Sequence, residues 1–133
     1  MVHRCHHIGL LTENCQLLID FYTKMLGFKE METKSIPEEV MKKIFEIPSS
    51  CRLTKLKLGE IVLEVISPHN QKLKPRISEA WGYNHWGLAV RDKSEYFEEL
   101  KAKGVHTVEI ERERGSICFI RDPEGNLIEI YEA

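Results

Sequence analysis

Two histidines and two glutamates stand out because they recur as a pair in each half of the chain. His7 opens the segment His-Ile-Gly-Leu-Leu, and His85 opens the segment His-Trp-Gly-Leu-Ala-Val. Glu64 and Glu129 each lie between apolar residues, near the end of the half that holds the corresponding histidine. A carboxylate in an apolar strand is costly to bury unless it is paired or bound to a metal ion. The four residues are therefore candidate metal ligands.

Two imidazoles and two carboxylates form a mixed set of nitrogen and oxygen donors. Such a set suits Zn, Ni, Co, Mn or Fe(II), and octahedral geometry would leave positions for one or two waters. An ion of this kind polarises a carbonyl oxygen, and a glutamate that detaches from it would serve as base for a proton on carbon. The donor set predicts a divalent metal cofactor and a small-molecule substrate.

The neighbouring residues favour an inward position for both histidines. Side chains alternate between the two faces of a strand, so Gly9 would share the face of His7, and Gly87 that of His85. Small residues on that face would leave a cavity. His6 is a weaker candidate, expected to face the core and to be a ligand only if the strand register shifts by one residue. The other histidines are expected to be exposed: His3, His69 and His106.

The elements around these residues are predicted to follow one order twice: strand, helix, then three strands. Asn14 and Asp92 are favourable helix N-caps, and Asp92 with Glu95 has the spacing of a capping box. Gly27 and Gly104 fit positions just after a helix end. The predicted strands are 5–11, 28–36, 52–58, 61–66, 83–90, 106–112, 116–121 and 127–132.

The spacing of the candidate ligands indicates an internal repeat. His7 and His85 are 78 residues apart, whereas Glu64 and Glu129 are 65 residues apart. The difference of 13 residues equals the length of segment 37–49, a predicted short helix that has no counterpart in the second half. After this single gap the four residues fall at equivalent positions of the two halves.

We therefore predict a single domain of two repeats over residues 1–133. The first module is 1–67 and contains the insertion 37–49, and the second module is 83–133. The linker 68–82 holds two prolines and several basic residues. It is predicted to be a solvated connector, or else a segment over the site that offers positive charge to an anionic ligand.

Composition and charge narrow the class of protein. A chain of 133 residues with 42% hydrophobic and 30% charged residues is typical of a soluble globular domain. The net charge of −2, with both signs interspersed, argues against nucleic acid or an anionic membrane as partner. No apolar run approaches the roughly 20 residues that cross a bilayer. We expect a cytoplasmic protein whose four cysteines are free thiols, mostly small buried side chains.

These features together resemble the vicinal oxygen chelate superfamily, which includes glyoxalase I, methylmalonyl-CoA epimerase, extradiol dioxygenases, and fosfomycin and bleomycin resistance proteins. The resemblance covers essentially the whole chain. The segments that carry it are His7-Ile8-Gly9-Leu10, Phe21-Tyr22, Leu26-Gly27-Phe28, Leu63-Glu64, His85-Trp86-Gly87-Leu88-Ala89-Val90 and Asp122-Pro123-Glu124-Gly125-Asn126-Leu127-Ile128-Glu129.

The resemblance implies an α+β fold in which two tandem βαβββ modules form a curled mixed sheet around a metal site, the glyoxalase/bleomycin resistance fold. By that match the metal ligands are His7, Glu64, His85 and Glu129. Glu129 would be the displaceable glutamate that moves the proton, with Glu64 as its partner. A homodimer is expected, with each site built from the two modules of one chain or from modules of two chains.

The implied activity is that of a metal-dependent lyase or isomerase of the glyoxalase I type, acting through a metal-bound enediolate on a small carbonyl or thioester compound. Glutathione-dependent members usually have an arginine and an asparagine where this chain has Leu11 and Pro68, which argues against glutathione. One alternative is an acyl-CoA thioester epimerase, and another is a non-catalytic binding or resistance protein. Glu64 disfavours a dioxygenase, and Gly9 disfavours a fosfomycin enzyme, which has a catalytic threonine at that position.

Overall fold

The computed structural model describes residues 2–133 and contains two four-stranded mixed sheets and three helices. The α+β class and the order βαβββ, repeated once, are as the sequence predicts. The chain divides into two compact units, of which the first ends at Lys74 and the second begins at Pro75. This boundary lies inside the predicted linker 68–82.

The first unit has an insertion helix between its second and third strands. Its elements are β1 (Ile8–Leu11), α1 (Cys15–Asp20), β2 (Lys29–Ile36), α2 (Glu38–Phe45), β3 (Cys51–Leu58) and β4 (Ile61–Pro68). The sheet order is β1-β4-β3-β2, with β1 parallel to β4 and the other neighbours antiparallel. The α1 helix continues into a π-helical turn, Phe21–Met25.

The second unit repeats this topology without the insertion helix. Its sheet order is β5-β8-β7-β6, again with the first and last strands parallel. Its elements are β5 (His85–Val90), α3 (Lys93–Ala102), β6 (His106–Ile110), β7 (Ile117–Arg121) and β8 (Leu127–Glu132).

Each sheet buries one face against its own helix. In the first unit Leu18 and Tyr22 pack on the sheet, where Leu63 and Val65 of β4 are fully buried. A satellite cluster beneath α2 contains Met41, Cys51, Leu53 and Ile66. In the second unit the buried side chains are those of Leu88, Phe97, Leu100, Ile128 and Ile130. The residues that alternate with Leu63 and Val65 on β4, and with Ile128 and Ile130 on β8, point to the opposite, open face of each sheet. In the first unit α2 covers one end of this face, where Met41 packs with Ile66.

The first strand is shorter than predicted. The sequence predicts a strand over 5–11, but β1 begins at Ile8. Residues 5 and 6 are exposed, so no apolar burial holds them against the sheet. His6 is therefore exposed rather than core-facing, and His7 immediately precedes β1 instead of lying within it.

The predicted helix caps are present, but the capping box is not formed as expected. Asn14 accepts a hydrogen bond from the Leu17 amide at 3.1 Å, and Asp92 accepts one from the Glu95 amide at 3.2 Å. The amides of Asp92 and Lys93, however, donate to the carboxylate of Glu132 at 2.9 and 3.0 Å. A carboxylate at the end of β8 thus takes the place that a capping box gives to Glu95.

The cysteines are free, as predicted, but only two of them are buried. Cys51 and Cys118 lie in the cores, and burial is the main cause that raises the pKa of each thiol. Cys5 is exposed and Cys15 is partly exposed. Within residues 2–133, no helix is long and apolar enough to span a lipid bilayer.

Candidate metal centre

The first unit brings His7 and Glu64 together on the open face of its sheet. Parallel pairing of β1 with β4 sets Gly9 opposite Glu64, so the histidine two residues before the glycine lies diagonally across from the carboxylate. His7 Nε2 is 3.3 Å from Glu64 Oε1. The residue just before β1 and the strand β4 therefore supply one nitrogen and one oxygen donor to the same place.

The second unit repeats this arrangement. Gly87 lies opposite Glu129 in the parallel pair of β5 and β8, and His85 Nε2 is 3.3 Å from Glu129 Oε1. A methyl group built on Gly9 would meet nothing within 4 Å, and one built on Gly87 would meet its nearest atom at 3.8 Å. The face beside each histidine is thus open, as the small residues predict.

Burial and distance both fit a pair of metal ligands. The glutamate side chains are only 16% and 20% exposed, and the histidine side chains are 42% and 36% exposed. A separation of 3.3 Å is longer than the roughly 2.7–2.9 Å of a charge-assisted hydrogen bond. Two donors each about 2.1 Å from one ion lie about 3.0–3.4 Å apart at octahedral or tetrahedral angles. The donor types and their spacing are compatible with a shared divalent ion.

Each half of the predicted ligand set is therefore assembled inside its own unit. Among residues 2–133 the structure forms no group of three or more histidine, cysteine, aspartate or glutamate side chains that could hold an ion. The site of four ligands, His7, Glu64, His85 and Glu129, stays a prediction. His3, His69 and His106 are exposed, as expected.

The second ring nitrogen of each histidine also has a partner. Asn84 Oδ1 is 2.8 Å from His85 Nδ1, and His6 Nδ1 is 2.8 Å from His7 Nδ1. The sequence analysis assigned no role to Asn84 and considered His6 only as a weaker candidate ligand. The sequence feature that could have indicated a role is that His6 and Asn84 each lie immediately before a candidate ligand, at equivalent positions of the repeat.

The residue opposite each glutamate on its other side differs between the units. Lys55 of β3 lies opposite Glu64, and its ammonium group is 3.1 Å from the carboxylate of Glu32. Phe119 of β7 lies opposite Glu129, and its ring packs edge-on against His85 with centroids 5.0 Å apart. The strand position opposite the carboxylate is thus a lysine in one unit and a phenylalanine in the other.

A buried aspartate organises the turn that leads into β8. Asp122 is 4% exposed, and its carboxylate accepts hydrogen bonds from the amides of Glu124 and Asn126 at 2.9 and 3.0 Å. It also accepts one from the Asn126 side chain at 2.8 Å. The turn fixes the start of the strand that carries Glu129.

A half-open pocket of about 280 Å³ lies in the second unit, next to β5. Its lining includes the side chains of Arg76, Trp81, Tyr83 and Asn84. Arg76 Nη2 donates to the backbone carbonyl of Asn84 at 3.1 Å, while Trp81 and Tyr83 are fully exposed. The end of the predicted linker therefore forms a cationic and aromatic pocket beside the residue that contacts His85.

Comparison with known sequences defines the class of protein. Residues 4–130 match the sequence profile of the Glyoxalase/Bleomycin resistance protein/Dioxygenase superfamily. The match covers nearly the whole chain, and the chain belongs to this family.

Two relatives are lactoylglutathione lyases by name. The probable lactoylglutathione lyase, chloroplastic, of Arabidopsis thaliana is 29% identical to this chain; the alignment covers 99% of this chain and 35% of the relative. The lactoylglutathione lyase of Escherichia coli O157:H7 is 26% identical, with 97% of this chain and 92% of the relative covered. The chain thus spans about a third of the Arabidopsis protein and nearly all of the bacterial one.

Solved structures share the fold over the whole chain. A glyoxalase family protein from Enterococcus faecalis superposes with a TM-score of 0.75 at 26% identity, covering 97% of each chain. The fosfomycin resistance protein FosX from Listeria monocytogenes, solved as a mutant with Mn(II) and 1S,2S-dihydroxypropylphosphonic acid, superposes at 0.69 with 19% identity. That alignment covers 100% of this chain and 94% of FosX, and it shows the fold alone.

Proposed function

We propose that this chain is a divalent-metal-dependent lyase or isomerase of the glyoxalase I type, active as a homodimer. One His–Glu pair from each unit, in one chain or in two, would complete the ligand set His7, Glu64, His85 and Glu129. The observation that carries the proposal is the recurrence of the same pair, at 3.3 Å, in both units. The named lyase relatives support the same class of reaction.

The ion would be Zn, Ni, Co, Mn or Fe(II), and when bound it would polarise a carbonyl oxygen of the substrate. On an α-hydroxy carbonyl compound, Glu129 would take the proton from the carbon that bears the hydroxyl group and return it to the former carbonyl carbon, while the hydroxyl proton moves to the other oxygen, which balances as an isomerisation. On a thioester, the proton would return to the carbon that lost it, on the opposite face. The environment favours Glu129 over Glu64 for this step. Glu129 lies opposite Phe119, which carries no charge, whereas Glu64 lies opposite Lys55, which is a cation.

The substrate class we propose is a small carbonyl or thioester compound that carries an anionic group. The pocket beside β5 supports this choice, because Arg76 offers a guanidinium and Trp81 and Tyr83 offer aromatic faces. Leu11, 46% exposed on the open face of β1, provides no charge for a glutathione carboxylate. Thiol adducts other than that of glutathione, and acyl-CoA thioesters, are therefore the first compounds to test.

The experiment has two stages. The first stage measures the metal content of purified protein before and after reconstitution with each candidate ion. The second follows exchange of the substrate's carbon-bound hydrogen with deuterium from solvent by NMR, for thiol adducts of α-oxoaldehydes and for acyl-CoA thioesters. We expect one ion per site and exchange that depends on it. Protein that binds no ion after reconstitution would refute the proposal.

A second candidate function is non-catalytic binding of a small anionic or aromatic compound. The observation that favours it is the same pocket, whose aromatic side chains are fully exposed. Saturable binding that is weakened in Arg76→Ala but not in Lys72→Ala, without product formation or hydrogen exchange, would support this function. Metal-dependent turnover would exclude it as the main role.

A further inference from the structure

The residue immediately before each candidate histidine ligand contacts the same ring nitrogen of that histidine. Asn84 Oδ1 lies 2.8 Å from Nδ1 of His85, and Nδ1 of His6 lies 2.8 Å from Nδ1 of His7. Two different residue types thus make the equivalent contact at equivalent positions of the repeat. Because two different residue types make the same contact, the contact indicates a requirement for a hydrogen-bond partner at Nδ1 of each histidine.

The requirement follows from the chemistry of imidazole. A neutral ring carries hydrogen on one nitrogen and a lone pair on the other. An oxygen such as Asn84 Oδ1 only accepts, so His85 carries its hydrogen on Nδ1. In the neutral ring the lone pair is then on Nε2, where the Glu129 carboxylate, 3.3 Å away, is the competing acceptor. A ring with its hydrogen on Nε2 cannot bind an ion through that atom.

The surroundings of Asn84 hold it in place for this contact. Arg76 Nη2 donates to the Asn84 backbone carbonyl at 3.1 Å. The His85 ring is packed from another side by Phe119, edge-on at 5.0 Å between ring centroids. The backbone of Asn84 and the imidazole of His85 are therefore each held by a contact with a third residue.

His6 can make the equivalent contact because a neutral histidine also offers an accepting nitrogen. When His7 donates from Nδ1 to Nδ1 of His6, its own Nε2 presents a lone pair toward Glu64. His6 is exposed and precedes β1, so burial in the core does not account for its contact.

We propose that Asn84 and His6 are positioning residues that fix hydrogen on Nδ1 of His85 and His7, so that Nε2 of each ring is ready to bind a divalent ion. The role of the ion rests on the proposed function, whereas the state of each ring is a property of the metal-free protein. The two parts can therefore be measured separately.

The test compares Asn84→Leu, which removes the acceptor, with Asn84→Asp, which keeps one. Asn70→Leu is the matched control, since Asn70 is an exposed asparagine of the first unit. Long-range ¹H–¹⁵N spectra of metal-free protein report which nitrogen of His85 carries hydrogen. Competition with a chromophoric chelator measures the affinity for Zn²⁺. Circular dichroism of every variant establishes that it is folded.

We expect hydrogen on Nδ1 of His85 in the wild type, Asn84→Asp and the control, and a shift toward Nε2 in Asn84→Leu. Zinc affinity should fall about 10–100-fold in Asn84→Leu, the usual effect of losing such a partner, and be retained in Asn84→Asp. An unchanged ring state in folded Asn84→Leu would overturn the inference. A wild type with hydrogen on Nδ1 that binds no ion would refute the proposed function but support the assignment of the ring.

Discussion

The two units build the same His–Glu pair but surround it differently. In the first unit a charged row runs across the open face, with Lys55 between Glu64 and Glu32. In the second unit Phe119 takes the place of Lys55 and packs on His85. The two units have the same nitrogen and oxygen donors at the same distance, but the residues next to these donors differ. The comparison teaches that two chemically identical carboxylates lie in different surroundings, and this difference is the basis of the different tasks proposed for them.

The largest expected effect comes from removing one carboxylate at a time. Glu129→Gln should lower kcat by about 10²–10⁴-fold, the usual range for losing a general base, while Glu64→Gln should mainly weaken metal binding. Hydrogen exchange at the substrate and metal content, measured on the same preparations, separate the two effects. Glu60→Gln, in the exposed turn between β3 and β4, is the control. Equal losses of kcat at full metal occupancy would contradict the division of tasks.

Exchanging the neighbours tests the comparison directly. Phe119→Lys should place an ammonium group beside Glu129 and lower kcat about tenfold or more, because a charge-assisted hydrogen bond is worth about 1.5–3 kcal/mol. Lys55→Phe should change kcat little, since Glu64 is not assigned the proton. Steady-state kinetics of metal-loaded variants measure both. A larger loss of kcat in Lys55→Phe would reverse the assignment of the two glutamates.

The turns before the two glutamate strands should differ in their tolerance to substitution. Asp122→Ala removes a buried carboxylate that accepts hydrogen bonds from two amides and one side chain. We expect it to cost about 1–3 kcal/mol of unfolding free energy, because buried donors lose their acceptor. Gly59→Ala, in the two-residue turn of the first unit with φ of 58°, should cost about 1 kcal/mol, the lower end of the range for a left-handed residue with a side chain. Urea unfolding measures both, and the reverse order would contradict the prediction.

The reactivity of the cysteine thiols should depend on their burial rather than on the unit that contains them. Because burial raises the pKa of Cys51 and Cys118, less of each thiol is the reactive thiolate at pH 8 than in an exposed cysteine. Iodoacetamide should therefore modify Cys5 first, Cys15 more slowly and the two buried thiols only on unfolding. Peptide mass spectrometry over time measures the order. Early modification of Cys118 would show that the second core opens locally.

Much of the local structure was predictable because short-range chemistry determines it. The N-caps at Asn14 and Asp92, the glycines after the helices and the alternation of open and buried strand positions follow from residue type and spacing. The His–Glu pairs were predictable only because the repeat gives two copies of one pattern. In either copy alone, the glutamate could equally well be an exposed charge on an edge strand.

What the sequence did not predict depends on partners distant in the chain. The Glu132 carboxylate accepts hydrogen bonds from the amides of Asp92 and Lys93 at the start of α3. No local pattern indicates that the end of β8 lies next to the start of this helix. The contrast between Lys55 and Phe119 requires the register of neighbouring strands. The roles of Asn84 and His6 require ring orientations, which residue order does not define.

The parallel pairing of the first and last strands of each module has a consequence for how the protein would acquire its ion. In each unit the histidine lies at the start of the first strand of the module, with His7 just before β1, and the glutamate lies on the last strand. The pair therefore forms only when these two strands have paired. An ion held by both pairs would bind only chains whose modules are complete, and at about 100 times its dissociation constant it would stabilise them by about 2.7 kcal/mol. Metal binding would thus favour fully folded chains over chains that are still folding.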